Sequence, residues 1–257
     1  MNSNTRLLVT RSGPAGQRLA DRLRAAGLDT VWYSPVRLVG VSQPAELRRR
    51  LEALLPADVL VVPSPEALRR LAEMKPPHTL GQTPLVVPGP GSADLARELG
   101  FLSVRSPDSA GTSEDMLELP ELSAVAGQRI LILAAAGGRR LIEQTLAERG
   151  AEVHRLHIYR REAVPPQPDV TGLLSVAEDL VTLLGSGGAL AGLADQLEAP
   201  AWGAIQRGLV IAPSQRVAEE AMARGCGRVE AATGADDQAM LEALLLARMD
   251  LKQWVTL

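Results

Sequence analysis

The sequence predicts an α/β protein built from a duplicated unit of about 125 residues, each copy suited to a five-stranded, doubly wound parallel sheet. Three observations carry this expectation. Short apolar runs alternate with amphipathic segments along the chain, as they do where helices cover both faces of a parallel sheet. Four blocks recur in the same order at offsets of 122 to 125 residues. Aromatic residues make up only 2 % of the 257, so the cores must be assembled from Leu, Val, Ile and Ala.

The elements follow in order. "RLLVTR" (6–11) reads as a buried strand, and 15–27 as a helix closed by Gly27. A strand is expected at 29–34 and a helix at 44–55, whose core stripe is Leu47, Leu51, Leu54 and Leu55 and whose Arg48, Arg49 and Arg50 face solvent. Strand 58–63, helix 65–74, strand 84–88, helix 91–99 and a short strand at 102–105 complete the first half. The second half repeats it. Residues 129–150 overlay 6–27 without a gap, with Arg6 on Arg129, Leu23 on Leu146 and Gly27 on Gly150. Residues 61–68 match 183–190, with Ser64 on Ser186; 85–100 match 210–225; and 114–118 match the segment around Met240.

Composition narrows the function. A formal net charge of −3 argues against a nucleic-acid-binding face, and Trp32, Trp202 and Trp254 are too isolated to form a stacking platform. Cys226 is the single cysteine, which leaves no disulfide framework or Cys-based zinc site. The N-terminus lacks an apolar leader and no long apolar run occurs, so a cytoplasmic protein that does not enter a membrane is expected. No evident exposed apolar stripe is present, which points to a monomer. His154 and His157 are three apart on a strand and point to opposite sides, so no metal site is expected. No Walker A loop or complete GxGxxG is present, and no nucleophile–base pair stands out.

What remains is a rim of small hydroxyl residues where strands give way to helices: Thr10, Ser12, Ser64, Ser186 and Ser214, with Ser92 one turn later. Helix capping is the ordinary reading of any one of them. As a set, beside unpaired helix N–H groups, they also suit carboxylates or phosphates. "GPGS" (89–92) and "GGRR" (137–140) are Gly-rich strand-to-helix turns, and Arg139 and Arg140 open a helix, where a cation opposes the helix dipole. Tyr159, one of two tyrosines, lies in "RLHIYRREAVP" between an apolar run and two arginines. It is either an interfacial packing residue or a proton donor in a cleft.

The motifs resemble the uroporphyrinogen-III synthase family over essentially the whole chain. "LLVTR", "VVPSPEAL", "VVPGPGSADLARELG", "TSEDML", "GGRRLIEQTLAERGAEVHRLHIYRR" and "IAPSQRVAEEAMARG" are each similar to a family segment, in the family's order and spacing. The resemblance implies two flavodoxin-like doubly wound domains joined by a two-stranded connection, with the active site in the cleft between them. Residues 1–35 and 167–257 would form one discontinuous domain, 42–154 the other, and 36–41 and 155–166 the connecting strands, flanked by Pro35, Pro165 and Pro166.

The implied reaction cyclises hydroxymethylbilane to uroporphyrinogen III with inversion of ring D and loss of water, without cofactor or metal. The substrate's eight carboxylates would meet Thr10, Arg11, Ser64, Ser92, Gly138, Arg139, Ser186, Ser214, Gln215 and Arg216. Tyr159 matches the family's tyrosine and is the expected proton donor to the leaving hydroxyl, since a phenol, with a reference pKa of about 10, can donate without being charged. A transient contact with the upstream enzyme that makes the bilane fits this picture. The sequence departs from the family at Ala134–Ala135, in place of an Arg-Gly pair, at Gly185, in place of Thr, and at Val217, in place of a hydroxyl residue. These changes support an alternative, a catalytically impaired tetrapyrrole-binding or regulatory relative. A nucleotide-sugar transferase is a third reading that lacks a nucleotide loop.

Overall fold

The computed structural model describes residues 5–108, 112–138 and 140–251. Its strands, among the described residues, are β1 (Thr5–Val9), β2 (Asp29–Trp32), β3 (Val36–Gly40), β4 (Val59–Val61), β5 (Leu85–Val86), β6 (Val104–Arg105), β7 (Arg129–Ala135), β8 (Glu152–Ala163), β9 (Asp179–Leu183), β10 (Leu209–Ala212) and β11 (Arg228–Ala231). Its helices are α1 (Gly13–Ala25), α2 (Pro44–Leu54), α3 (Pro65–Met74), α4 (Pro90–Glu98), α5 (Ser113–Leu117), α6 (Pro120–Ser123), α7 (Leu141–Glu148), α8 (Pro168–Ser175), α9 (Gly187–Gln196), α10 (Ala199–Arg207), α11 (Gln215–Ala223) and α12 (Asp237–Ala247). The chain is therefore α/β with parallel sheets, as the alternating pattern predicts.

Two compact units divide it, one made of the segments up to Leu38 and from Glu162 onward, the other of Val39–Arg161. Both boundaries fall inside strands, in β3 and β8.

In the first unit the sheet order is β11-β10-β9-β1-β2. Successive side chains of a strand face opposite ways. Leu7 and Val9 accordingly pack with Leu19 and Leu23 of α1 and Leu241 and Leu244 of α12. Leu8 packs with Leu190 and Leu193 of α9, Ile205 of α10 and Ala221 of α11. Both faces are covered, which is why β1 reads as an unbroken apolar run rather than an alternating one. Each fully buried Leu contributes roughly 2 kcal/mol relative to exposure.

In the second unit the order is β3-β8-β7-β4-β5-β6. Ile130, Ile132 and Ala134 of β7 meet Ile142 and Leu146 of α7 and the apolar residues of α5 and α6. The alternate residues Leu131 and Leu133 are fully buried as well. Helix ends follow the repeat: Gly27 after α1 and Gly150 after α7 both take a left-handed φ of 86°, the conformation that terminates a helix at little cost for glycine.

Differences from the predicted elements are local. Helix α1 starts at Gly13, where Pro14 sits in the first turn, and Ser12 makes no side-chain cap. The strand expected at 102–105 is reduced to Val104–Arg105, with Leu102 exposed. Helices α8 and α10 lie in stretches to which the matched blocks assign no element. Trp254 lies outside the described residues.

Where the first unit's two segments meet, the Tyr33 hydroxyl donates to Val164 O at 2.8 Å, Gln196 Nε2 donates to Pro35 O at 2.9 Å and Val164 N–H donates to the same oxygen at 2.9 Å. Burial pushes the Tyr33 phenol up to about 12. No helix among the described residues is long and apolar enough to cross a membrane.

Candidate active site

In an open parallel sheet, ligands bind beyond the carboxyl ends of the strands, where the order of strand connections reverses. In the first unit the reversal falls between β1 and β9, and in the second between β7 and β4. Among the described residues, Thr10 and Arg11 follow β1, Ser186 follows β9, Ser64 follows β4 and Gly138 follows β7, whereas Ser92 follows β5 and Ser214, Gln215 and Arg216 follow β10.

Thr10 follows β1 and is 1 % exposed. Its hydroxyl donates to Leu183 O at 3.1 Å and accepts from Gly185 N–H at 2.9 Å, tying the loop after β1 to the loop after β9. A Cβ at Gly185 would stand 2.7 Å from Arg11 Cα and 3.1 Å from Arg11 N. Glycine is therefore favoured there by the close approach of two backbones. Ser186 and Ser214, both with extended backbones, cap α9 and α11 by accepting from Ala189 N–H at 3.1 Å and Val217 N–H at 3.4 Å. Val217 is 2 % exposed and belongs to the core, which explains an apolar residue at that position. Arg11 pairs with Asp237, Arg216 pairs with Glu220, and Gln215 donates to Glu219 at 3.2 Å. The Arg216–Glu220 pair lies beside the first turn of α9, since a Cβ at Gly187 would meet Glu220 Oε2 at 2.8 Å.

In the second unit Ser64 caps α3, accepting from Ala67 N–H at 3.2 Å, and its Oγ lies 3.1 Å from the Tyr159 hydroxyl. The phenol ring is 3 % exposed, and the guanidinium carbons of Arg70 and Arg161 each lie 5.9 Å from its centroid. Glu66 holds Arg70 at 2.7 Å. Both guanidiniums are within cation–π distance of the ring.

A bulge aims the tyrosine. Along β8, Arg155 pairs with Ile132 and His157 with Ala134, but Tyr159 pairs with Ala135. The extra residue turns Tyr159 off the face that carries Arg155 and His157, which is the α7 face, and onto the opposite face, where Ser64 and Arg70 stand. Without it, a period of two would put all three side chains on one side.

Ala134 and Ala135 close β7 and are each 4 % exposed, so both are core residues. Gly137 has a φ of 71°, and a Cβ at Gly138 would lie 3.0 Å from Arg155 Nη2. Arg140 donates to Glu143 at 2.9 and 3.2 Å. Arg139 lies outside the described residues. Ser92 is 9 % exposed inside α4, whose N-cap is Gly89 rather than a serine. His154 bonds Glu152 at 2.8 Å, on the face opposite His157.

Sequence reasoning singled out Tyr159, Ser64 and the cap serines but not Arg70, Arg161, Arg155 or His157 as neighbours of the site. Arg161 was within reach, two residues beyond the tyrosine. Arg70, on a helix 89 residues away in sequence, gave no local signal.

The family model described as uroporphyrinogen-III synthase HemD matches residues 17–242. A uroporphyrinogen-III synthase of Escherichia coli K12 is 30 % identical over 254 residues, spanning 93 % of this chain and 99 % of the relative. That of Salmonella typhimurium is 31 % identical over 248 residues with the same coverage of both. Among solved structures, a mutant uroporphyrinogen III synthase from the extremely thermophilic bacterium Thermus thermophilus superposes with a TM-score of 0.64 at 17 % identity, covering 96 % of this chain and 99 % of that one. The enzyme from Helicobacter pylori 26695 gives 0.59 at 15 % identity, covering 95 % and 99 %. These two share the fold, and the family model with the 30 % relatives shows that the chain belongs to the uroporphyrinogen-III synthase family, the cyclising lyases of haem biosynthesis.

Proposed function

We propose that this chain cyclises hydroxymethylbilane to uroporphyrinogen III, inverting ring D and losing water, with Tyr159 as the proton donor to the departing hydroxyl. The observation that carries the reading is the Ser64–Tyr159 hydroxyl pair at 3.1 Å. Ser64 Oγ accepts the Ala67 N–H, so its own proton is available to the phenol oxygen. With that bond made, the phenol proton is left to the substrate. Pyrrole nitrogen lone-pair donation expels the terminal hydroxyl and produces an azafulvene. Ring closure then proceeds through a spiro intermediate at the substituted carbon, a step governed by orientation.

The carboxylates of the substrate would be met at the carboxyl edge of each sheet, by Arg11, Ser186, Ser214, Gln215 and Arg216 in the first unit and by Ser64, Ser92, Gly138 and Arg139 in the second. Thr10 would contribute by holding the loops that present these donors, a role favoured by its two backbone bonds. We infer a duplicated flavodoxin-like architecture with domains at 1–35 plus 167–257 and at 42–154, connected by 36–41 and 155–166. Strand order supports it: β2-β1-β9-β10-β11 becomes β8-β7-β4-β5-β6 when each strand is replaced by its repeat partner. A monomeric cytoplasmic enzyme receiving its labile bilane in transient contact with the enzyme that makes it completes the reading.

The test supplies freshly generated hydroxymethylbilane and resolves the oxidised products by isomer. Isomer III is expected from the wild-type protein. Isomer I alone, the product of spontaneous closure, would sink the reading and favour the impaired relative.

A further inference from the structure

The α7 face of β8 carries charged groups that the proton-transfer pair does not use. A pocket of about 440 Å³ is lined by Gly137, Gly138, Arg140, Glu143, Arg155 and His157. Arg155 is the buried member, with its side chain 11 % exposed, and Glu143 Oε2 lies 3.4 Å from its Nη1. Glu143 also takes the Arg140 guanidinium, through two bonds, and that arginine is 70 % exposed. The described lining thus includes two guanidiniums and one carboxylate, next to the N-terminal turn of α7, where no side chain caps the helix. Gly137 turns left-handed, and a Cβ at Gly138 would stand 3.0 Å from Arg155 Nη2, so a side chain there would shift the guanidinium by a few tenths of an ångström.

We propose that this pocket is a subsite for a single carboxylate of the tetrapyrrole substrate, with Arg155 as the fixed donor, Arg140 as the mobile one and Glu143 as the internal carboxylate that keeps both guanidiniums in place until the substrate's own carboxylate arrives. The proposal rests on the synthase reading for the identity of the carboxylate, not for the presence of the pocket. A guanidinium fork matches a carboxylate in two parallel bonds.

His157 reports on occupancy. Its imidazole is held below the usual histidine range by burial first and then by Arg155, Arg50 and Arg140, while Glu143 acts in the opposite sense. A carboxylate bound among the same arginines offsets their field and raises the imidazole's titration midpoint by about one pH unit. The chain has three histidines, His78, His154 and His157, so the resonance is assigned by its loss in His157→Gln.

The experiment has two arms. In the first, Arg155→Gln is expected to raise KM for hydroxymethylbilane about tenfold with kcat little changed, and Gly138→Ala, which pushes the Arg155 guanidinium aside, to do the same to a smaller extent. Glu143→Gln, which removes the competing carboxylate, is expected to lower KM, whereas a merely structural Glu143 would raise it. In the second arm, uroporphyrin I, an octacarboxylate that needs no turnover, raises the His157 midpoint in the wild type and not in Arg155→Gln, while inorganic phosphate at the same concentration leaves it unchanged. Unaltered KM in folded Arg155→Gln that still makes isomer III overturns the subsite alone. A His157 response to phosphate but not to uroporphyrin I overturns the carboxylate assignment in favour of a general anion site. Loss of isomer III from the wild type with the uroporphyrin I response intact overturns the synthase reading and keeps the pocket.

Discussion

At the carboxyl edge of the first unit's sheet, Thr10 after β1 spends its hydroxyl on Leu183 O and Gly185 N–H, both backbone groups. At the corresponding edge of the second unit, the residue at Thr10's repeat position is Leu133, a fully buried core residue, and no such latch can form. The hydroxyl that stands there is Ser64, and its partner is another hydroxyl, that of Tyr159. The contrast separates two uses of the same strand-to-helix junction. A threonine between two backbone groups has no freedom to exchange its proton and fixes loops. A serine against a phenol has two arrangements of its protons, and one of them leaves a proton to give away. Val36 is the first unit's residue at the repeat position of Tyr159, so the first unit has no phenol to use in this way.

The largest effects are expected from disturbing the first unit's latch. Arg11's backbone is approached by Gly185, by Gly16, whose Cβ would lie 1.8 Å from Arg11 O, and by Trp32 Nε1, which donates to the same oxygen at 2.9 Å. Gly16→Ala is expected to cost about 4 kcal/mol and Gly185→Ala about 2, read from urea midpoints. Unchanged midpoints in both would show that the loops after β1 and β9 yield without cost, and the latch would lose its meaning.

Tyr159→Phe addresses the second unit. It is expected to reduce kcat about 100-fold, some 2.7 kcal/mol of activation free energy, and to cost no more than about 1 kcal/mol of stability, because Ser64 keeps its cap on α3. Near-wild-type turnover would return the phenol to a packing role.

The same variant isolates the other tyrosine. With Tyr159 gone, alkaline titration followed by phenolate absorbance should show one group, Tyr33, with a midpoint near 12. Its folded pKa is raised above the unfolded value of about 10, so its contribution to stability is complete below pH 10 and is lost as pH rises towards 12. A midpoint at the ordinary phenol value would mean that the Val164 and Gln196 contacts open readily.

The smallest expected effects come from the matched caps. Ser64→Ala and Ser186→Ala each remove one N-cap bond, to Ala67 and Ala189, and should each cost about 1 kcal/mol. Only Ser64→Ala also removes the phenol's partner, so it alone is expected to lower kcat, while Ser186→Ala registers in KM. Equal kcat losses would erase the distinction between the two edges.

Much of the architecture is legible in the chain because the strongest signals are local. Unbroken apolar runs such as Leu7–Val9 and Ile130–Leu133 declare strands buried on both faces, and the positions of Gly27 and Gly150 declare helix ends. The repeat blocks identify which serines are equivalent, and the capping role common to Ser64 and Ser186 follows from that equivalence. Folding alone settles what depends on residues far apart in the chain. Which strands lie side by side is one such matter, since no local propensity brings β1 beside β9 across about 170 residues. The bulge at Ala134–Ala135 is another. It moves Tyr159 to the other face of β8, a displacement that strand periodicity cannot predict because it depends on pairing with a different strand. The glycine at 185 and the arginine beneath Gly138 are also invisible in the sequence: one answers to a backbone 174 residues away, the other to a side chain on the next strand. Local patterning follows from each residue's own neighbours in the chain, whereas a site is an agreement among surfaces that meet only when the chain is folded.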